Sequence, residues 1–171
     1  VTYPAREIKQ IINQMQEIEN SIPEEWNKWQ RAKYIYEKLG ENISYNFNRE
    51  EYKTLNPSNL SVLLSRKGVC AGYSLLFKEM MDRQSIDCDY IRGRGFTGEG
   101  NSEKHAWNVL QIDGYTFSVD LTWDSARLQA GYKDLEYFGC KEDFYETHKQ
   151  DYDEKNYRYS TFSKESINSI N

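Results

Sequence analysis

The chain has 171 residues, enough for a single domain with its own hydrophobic core. Its net charge of -5 excludes the strongly basic surface typical of nucleic-acid or anionic-membrane binders. No apolar run approaches the ~18 residues of a transmembrane helix, and no secretory signal or lipidation motif is visible.

The first 67 residues are predicted to be mainly helical, with one irregular stretch. Apolar side chains recur at helical spacing over residues 4–20. Ser21 is a predicted N-cap, which starts a second helix that ends at Gly40. The Asn-rich segment 41–59 is predicted to be irregular, and residues 60–67 a helical turn.

A third helix is predicted from Cys70 to Asp82, after which the apolar periodicity becomes that of strands. Strands are predicted at 87–94, 104–112 and 115–123, with Asp113-Gly114 as the hairpin turn between the last two.

The C-terminal segments carry weaker signals. Residues 125–134 are predicted to be a loop, 135–140 a short strand and 141–149 a short acidic helix. Helices thus precede an antiparallel sheet, which predicts an α+β domain. We expect residues 1–40 to form a helical extension packed on a core of residues 41–171.

The cysteine content leaves two interpretations. Cys70, Cys88 and Cys140 are too few for a disulfide framework, and no C-x-x-C pair occurs. Cys88 and Cys140 could pair in a secreted protein, whereas the simpler interpretation is three reduced thiols. With only two histidines and no ligand cluster, we predict no metal site and no cofactor.

Cys70 lies where a loop is predicted to become a helix. Free N–H groups at a helix N-terminus favour the thiolate form of a cysteine. The small residues Gly68, Ala71 and Gly72 would leave room for a substrate. They would also let a backbone N–H, such as that of Cys70, point at a developing oxyanion.

The predicted hairpin supplies a base and an acid for such a thiol. With the turn at Asp113-Gly114, facing residues have numbers that sum to about 227, so Asp120 is a diagonal neighbour of His105. An acid there can hold the imidazole in one tautomer and stabilise its charged form. If the helix of Cys70 packs across this end, the three side chains form an activated-thiol triad.

Each triad residue also has a non-catalytic interpretation. Cys70 could be an inert core thiol, His105 a surface or hydrogen-bonded histidine, and Asp120 a loop-capping residue. Asp124 is a rival acid, four residues beyond Asp120.

Two other ring-bearing residues were weighed for this site. Trp107 alternates to the same face as His105 and could wall the site or fill the core. His148, on the predicted acidic helix, is interpreted as structural.

The segment "GRGFTG" at residues 93–98 fits the G-x-G-x-x-G pattern of dinucleotide-binding loops. That motif requires a helix directly after the loop, whereas a strand follows here. We therefore predict a mobile loop before His105 that could act as a substrate-contacting flap.

Two longer blocks resemble the transglutaminase-like superfamily: "GVCAGYSLLFKEMMDRQSIDCDYIRGRG" and "HAWNVLQIDGYTFSVDLTWD". In that family a Cys begins a helix, a His-x-Trp-Asn block opens a strand, and an Asp ends the following strand before Thr-Trp. The resemblance covers residues 41 to about 150. "NISY" resembles the tyrosine-bearing segment upstream of the cysteine, and "YFGCKEDFYETH" resembles a downstream segment of bacterial members.

The resemblance implies a papain-like core, with helices packed on an antiparallel sheet, and a triad of Cys70, His105 and Asp120. Cys70 would form a thioester with an amide, His105 would move the proton and Asp120 would orient His105. The acyl group would pass to an amine or to water, which covers cross-linking, deamidation and proteolysis. Tyr45, in "NISY", is the candidate for a second oxyanion donor, and packing is its alternative role.

The alternatives are a cysteine protease of the same fold and a catalytically silent protein-binding module. No calcium-binding acidic cluster stands out, so the calcium dependence of animal transglutaminases is not carried over. We expect protein or peptide substrates, no nucleic acid, no membrane insertion and a monomer. The polar composition and the first residue, which is not Met, suggest a secreted or cell-surface location.

Overall fold

The computed structural model describes residues 5–45, 62–63, 66–140, 143–151 and 157–171. Within them the helices are α1 (Ala5–Asn20), α2 (Lys28–Asn42), α3 (Cys70–Arg83), α4 (Leu121–Gln129), α5 (Phe144–Thr147) and α6 (Lys164–Asn168). The strands are β1 (Ser44–Tyr45), β2 (Lys67–Gly68), β3 (Asp87–Gly98), β4 (Asn101–Ile112), β5 (Tyr115–Val119) and β6 (His148–Gln150).

The central sheet is antiparallel and has the strand order β5-β4-β3-β6. β1 and β2 form a separate parallel pair. The predicted α+β class is confirmed, with helices packed on an antiparallel sheet and a helical pair at the N-terminus. The boundary between a helical extension and a core at residue 40 stays a prediction.

The β4–β5 hairpin has the predicted register, because Ile112 faces Tyr115 and Asn108 faces Val119. The predicted continuation of β5 to residue 123 is wrong. β5 ends at Val119, and the Asp120 side chain then caps α4. The predicted loop at 125–134 is likewise wrong in its first half, since α4 runs to Gln129.

The glycine-rich segment is strand rather than loop. β3 continues to Gly98 and pairs with β4 over most of its length, with Gly93 opposite His105. A Cβ on Gly93 would lie 2.1 Å from the carbonyl oxygen of Lys149. The absence of a side chain there lets β6 approach β3, so Gly93 serves strand packing.

The first two helices differ from expectation at their junction. α1 is confirmed, but α2 starts at Lys28, where Asn27 and Gln30 form a reciprocal capping box. α2 also continues past Gly40, whose added Cβ would lie 2.6 Å from Leu128 Cδ1. Gly40 is therefore a contact point between α2 and α4 rather than a helix stop.

The remaining expectations concern shorter segments. Residues 46–59 of the predicted irregular stretch, and most of the predicted turn at 60–67, lie outside the described residues. The predicted strand at 135–140 contributes only one bridge, between Phe138 and Val119. The predicted helix at 141–149 is shorter, because α5 ends at Thr147 and β6 follows.

Two apolar clusters lie on opposite faces of β4, because successive side chains alternate. The larger cluster joins α2 and α3 to the sheet and includes Tyr36, Phe77 and Leu110. The smaller contains Ile91, Trp107, Val109 and Phe144. No helix of the described residues is long and apolar enough to cross a membrane.

We expect Gly93→Ala to lower the free energy of unfolding by about 1–3 kcal/mol, the usual cost of overpacking. The new methyl group would contact backbone atoms of Lys149 and Gln150, which cannot rotate away. Urea unfolding measures the loss, and Thr97→Ala on the exposed part of β3 is the control. Equal stability of the two variants would contradict the tight β3–β6 packing.

Candidate active site

Cys70 is the first residue of α3 and is half-buried. The N-cap residue Val69 supplies no side-chain hydrogen bond, and the first backbone bond into the helix runs from Tyr73 N to Val69 O. The thiol therefore lies at the positive end of a 14-residue helix.

The glycines around Cys70 have a packing reason. An added Cβ would lie 3.1 Å from Val62 Cγ1 at Gly68, and 2.5 Å from Val62 Cγ2 at Gly72. The sequence suggested that these residues make room for a substrate. The structure shows that the space next to both glycines is filled by Val62.

Asn108 ties the helix of Cys70 to the sheet. Its buried amide Nδ2 donates to the carbonyl oxygens of Ser74, at 3.0 Å, and Asp89, at 3.2 Å. Ser74 Oγ in turn donates to the carbonyl oxygen of Cys70, at 2.7 Å. Asn108 lies three residues after His105 on β4, so one strand carries the histidine and anchors the first turn of α3. The local sequence pattern predicts no role for Asn108, although a polar side chain within an apolar strand run is a usable signal.

His105 and Asp120 form a buried pair. His105 is 7% exposed and Asp120 is fully buried. His105 Nε2 lies 2.6 Å from Asp120 Oδ2, the distance of a short charge-assisted hydrogen bond. The imidazole also stacks on Trp123, with ring centres 5.0 Å apart. Because Nε2 faces the acid, Nδ1 is the ring nitrogen left for a substrate or for Cys70.

The electrostatics of this pair favour its charged form. Burial alone lowers the pKa of His105, but the charge and hydrogen bond of Asp120, and to a smaller extent the Cys70 thiol, raise that pKa to about 10. For Asp120, burial alone raises the pKa. The charges and hydrogen bonds of His105 and then His148 outweigh burial and hold the pKa of Asp120 below its usual value.

Every polar atom of Asp120 has a protein partner. Its backbone N–H donates to the carbonyl oxygen of Tyr137, at 2.8 Å. Its Oδ1 accepts from the backbone N–H of Trp123, at 3.2 Å, which makes Asp120 the N-cap of α4. Its Oδ2 accepts from His105, so the helix cap aims the second carboxylate oxygen at the imidazole.

Asp124, the rival acid, has other partners. It accepts hydrogen bonds from the Tyr36 hydroxyl, at 2.6 Å, and from the backbone N–H groups of Glu136 and Tyr137, both at 2.9 Å. Burial raises its pKa to about 6. Asp124 thereby holds the segment whose Tyr137 carbonyl accepts from Asp120, which is a supporting position.

The other sequence candidates lie at two places. Trp107 is buried, its ring centre is 6.0 Å from that of His105, and it packs on Phe144. Tyr45 pairs with Gly68, two residues before Cys70, and its side chain is 38% exposed. Both residues stay candidates for substrate contact, and the role of Tyr45 as an oxyanion donor stays a prediction.

His148 is the residue that sequence reasoning placed wrongly. It was expected on an acidic helix, but it is the first residue of β6 and is buried. Its Nε2 lies 2.8 Å from Asp120 Oδ2, the oxygen that also accepts from His105. No short-range pattern connects residue 148 with residue 120, because the contact depends on pairing of β6 with β3.

Among the described residues, His105, Asp120 and His148 could hold a metal ion, with ligand atoms within 4.8 Å of one another. Their N···O separations of 2.6 and 2.8 Å are those of hydrogen bonds. An ion would need both Nε2 atoms without hydrogen, and so would replace both bonds.

The other two cysteines differ from Cys70 in environment. All three thiols are free in the structure. Burial raises the pKa of Cys88 far above its usual value, and burial also raises the pKa of Cys140. Cys88 and Cys140 are therefore poor nucleophiles near neutral pH.

A groove of about 310 Å³ lies beside this site. It is lined by Trp107, His148 and residues that are mostly aromatic: Tyr145, Lys149, Gln150, Tyr157 and Tyr159. A groove of this size can take one or two side chains of a peptide.

The family follows from comparison with known proteins. The model of the transglutaminase-like superfamily matches residues 14–120, more than half of the chain. The chain belongs to the transglutaminase-like superfamily. The matched range includes Cys70, His105 and Asp120 and ends before His148.

Curated relatives are the kyphoscoliosis peptidases of mouse and human. The chain is 27% identical over 128 residues to the Mus musculus protein, which covers 69% of this chain and 19% of that protein. It is 35% identical over 71 residues to the Homo sapiens protein, covering 37% of this chain and 11% of that protein. The chain thus spans less than a fifth of the length of these relatives.

Solved structures support the fold. A proposed cysteine protease from Cytophaga hutchinsonii superimposes with a TM-score of 0.52 and 21% identity, covering 70% of this chain and 40% of that one. A TGase superimposes with a TM-score of 0.50 and 14% identity, covering 68% of this chain and 31% of that one. The predicted papain-like or transglutaminase-like core is confirmed by these neighbours.

The raised pKa of His105 predicts how stability changes with pH. A histidine with a raised pKa in the folded state stabilises fully below its ordinary value of about 6.5 and loses this contribution as pH rises toward the folded value. In a Cys70→Ala background, we expect the free energy of unfolding to fall as the pH rises from about 6.5 toward the folded-state pKa of His105. The slope is at most about 1.4 kcal/mol per pH unit for one proton.

Urea unfolding at a series of pH values measures this slope. The matched control adds His105→Gln to the Cys70→Ala background, which removes the titrating ring and should flatten the curve over that range. Parallel curves for the two proteins would show that the folded state does not hold the proton on His105.

Proposed function

We propose that this chain is a thiol acyltransferase or hydrolase that acts on protein or peptide amides. Cys70 is the nucleophile, His105 is the general acid and base, and Asp120 orients His105. The observation that carries the proposal is the buried 2.6 Å hydrogen bond between His105 and Asp120. The Cys70 thiol is near enough to contribute to the raised pKa of His105. Membership of the transglutaminase-like superfamily supports the same chemistry.

The first half of the reaction forms a thioester. The Cys70 thiolate attacks the carbonyl carbon of a carboxamide or peptide bond, and the carbon–nitrogen bond then breaks. His105 gives its proton to the departing ammonia or amine. The N–H groups at the N-terminus of α3, including that of Cys70, would donate to the oxyanion that develops in between.

The second half releases the acyl group. An amine or a water molecule attacks the thioester carbon, its proton passes to the neutral His105, and Cys70 leaves as a thiolate. Asp120 keeps Nε2 of His105 bonded throughout, so Nδ1 is the atom that exchanges the proton. Transfer to an amine gives cross-linking or amine incorporation, and transfer to water gives deamidation or proteolysis.

Peptide-bond hydrolysis is the second candidate. It is favoured by the likeness to proteins named kyphoscoliosis peptidase and to a proposed cysteine protease. The aromatic groove beside Trp107 would suit peptide side chains in either reaction. The same three residues would perform the chemistry, so the two candidates differ only in the acyl donor and acceptor.

Selective alkylation tests the activated thiol. We expect iodoacetamide at pH 6 to modify Cys70 faster than Cys88 and Cys140, because burial raises the pKa of both other thiols. Mass spectrometry of the peptides measures the three rates within one sample. His105→Ala should remove the advantage of Cys70, and equal rates for all three wild-type thiols would contradict the proposal.

The reaction class is tested with a glutamine-bearing protein and a labelled primary amine. Wild type, but not Cys70→Ala, is expected to incorporate the amine or to hydrolyse an amide. Deamidation adds about one dalton at glutamine, and proteolysis gives new peptide ends, both through the thioester. Mass spectrometry separates these products. The absence of all of them, with an unreactive Cys70, would instead support a protein-binding module.

A further inference from the structure

The side chain of His148 contacts the same carboxylate oxygen of the proposed triad as His105 does. Asp120 Oδ2 lies 2.6 Å from His105 Nε2 and 2.8 Å from His148 Nε2. The ring centres of the two histidines are 5.6 Å apart, and all three side chains are buried. Asp120 therefore lies between two imidazoles rather than at the end of a chain of three residues.

The direction of the second hydrogen bond follows from what each atom can do. An ionised carboxylate has no hydrogen to donate. Its oxygen at 2.8 Å from a ring nitrogen is a favourable contact only if that nitrogen carries hydrogen. Nε2 of His148 is therefore a donor, and Asp120 Oδ2 accepts from both rings.

The other half of the His148 ring is fixed by α5. With hydrogen on Nε2, Nδ1 of a neutral ring accepts from the Thr147 hydroxyl, 2.9 Å away. The carbonyl oxygen of Phe144, 3.0 Å from Nδ1, accepts only when both ring nitrogens carry hydrogen. The ring stacks on that of Phe144, with centres 3.8 Å apart and planes 16° apart. The backbone of His148 pairs with Gly95 in β3. The ring thus cannot turn away from Asp120 without breaking these contacts.

We propose that His148 is a positioning residue that acts through Asp120: its Nε2–H holds Oδ2 in place and favours the ionised carboxylate that orients His105. This inference rests on the proposed function of Cys70, His105 and Asp120. His148 lies outside the residues matched by the family model, so its contribution comes from the C-terminal part of this chain.

A buried carboxylate stays ionised more readily when a second hydrogen-bond donor faces it. Asp120 has no solvent exposure, and burial by itself raises its pKa. The bonds and charges of both histidines lower that pKa, so each histidine helps Asp120 to stay ionised. The titratable groups that act on one another around this carboxylate are His105, His148, Cys70, Asp124, Tyr36 and Tyr137.

Two substitutions separate the donated hydrogen bond from the packing of the ring. His148→Phe keeps a flat ring that can stack on Phe144 but removes the donor. His148→Gln gives up the stacking but carries an amide N–H that can reach Asp120 Oδ2. A purely structural role predicts the greater damage from His148→Gln, whereas the positioning role predicts it from His148→Phe.

The measurement is the alkylation rate of Cys70 between pH 5 and pH 8, with Cys88 and Cys140 as internal references. At pH 6 we expect Cys70 of the His148→Phe variant to react at least about tenfold more slowly than Cys70 of wild type. Losses of about this size follow when a residue that orients a functional side chain is replaced. The acid limb of its pH profile should move to higher pH, because Asp120 has lost one of the two donors that favour its charge. His148→Gln should restore most of the rate.

Nitrogen NMR of the histidine rings gives an independent readout. The chain contains only two histidines, so the spectrum of His148→Gln assigns both by elimination. In Cys70→Ala, which separates this readout from any reaction, we expect Nε2 of His148 to carry hydrogen at neutral pH. Added Zn²⁺ should leave that signal in place.

The outcomes distinguish the two proposals. A wild-type Cys70 no faster than the other thiols would overturn the proposed function, while the NMR experiment would still report the bond from His148. A selective Cys70 with an unchanged pH profile in His148→Phe would overturn the role of His148 alone. An Nε2 of His148 without hydrogen would also overturn this role, because it could not donate to Asp120. Binding of Zn²⁺ at that nitrogen would overturn it too, because the three side chains would then be metal ligands.

Discussion

The buried carboxylate of Asp120 is the group on which the site depends. One of its oxygens caps α4, the other accepts from His105 and His148, and its backbone N–H bonds to Tyr137. An uncompensated charge in such a position would cost several kcal/mol. The structure offsets that cost with donors from three segments far apart in sequence, and those donors also fix where His105 points.

This arrangement explains why β5 is short. A strand that continued to residue 123 would send Asp120 and Trp123 along the hairpin, away from each other. Instead the chain turns into α4 at Asp120, because the side chain satisfies the free N–H of Trp123. The same turn brings the Trp123 ring onto His105. The helix cap and the orientation of the histidine are therefore one structural feature.

A second set of buried polar contacts joins the two halves of the site. Asn108 bonds the first turn of α3 to β3, while Tyr36 and Asp124 hold the segment that contains Tyr137. Buried polar groups are costly to leave without partners, so the bonds that they make specify a narrow range of packing arrangements. Among the described residues, Asn108 Oδ1 is a buried oxygen for which no hydrogen bond is found. The bonds of this set join α3 to the sheet and hold the segment of Tyr137 beside Asp120.

The C-terminal segment completes the surroundings of the acid. Phe144, Trp107 and Trp123 surround His148 with aromatic rings, which excludes water from its bond to Asp120. Gly93 has no side chain, which lets β6 approach β3, and the lack of a side chain at Gly95 leaves room for the rings of His105 and Trp123. A glycine-rich sequence that suggests a loop is thus required for strand pairing.

The sequence by itself determined the α+β order, the register of the β4–β5 hairpin, the start of α3 at Cys70 and the family. These follow from local signals: apolar periodicity, an Asp-Gly turn, and motifs of contiguous residues. The starts of α2 and α4 differ from those predicted, because side-chain caps at Asn27 and Asp120 set them. The helix propensities of the neighbouring residues are too weak to locate these starts. Only the tertiary structure decided that the glycine-rich part of β3 is a packed strand rather than a mobile loop. It also decided that Asp124 bonds to the segment of Glu136 and Tyr137 rather than to His105. Only the tertiary structure places His148 beside Asp120. The two residues are 28 apart in sequence, and their contact depends on the pairing of β6 with β3, which no local pattern predicts.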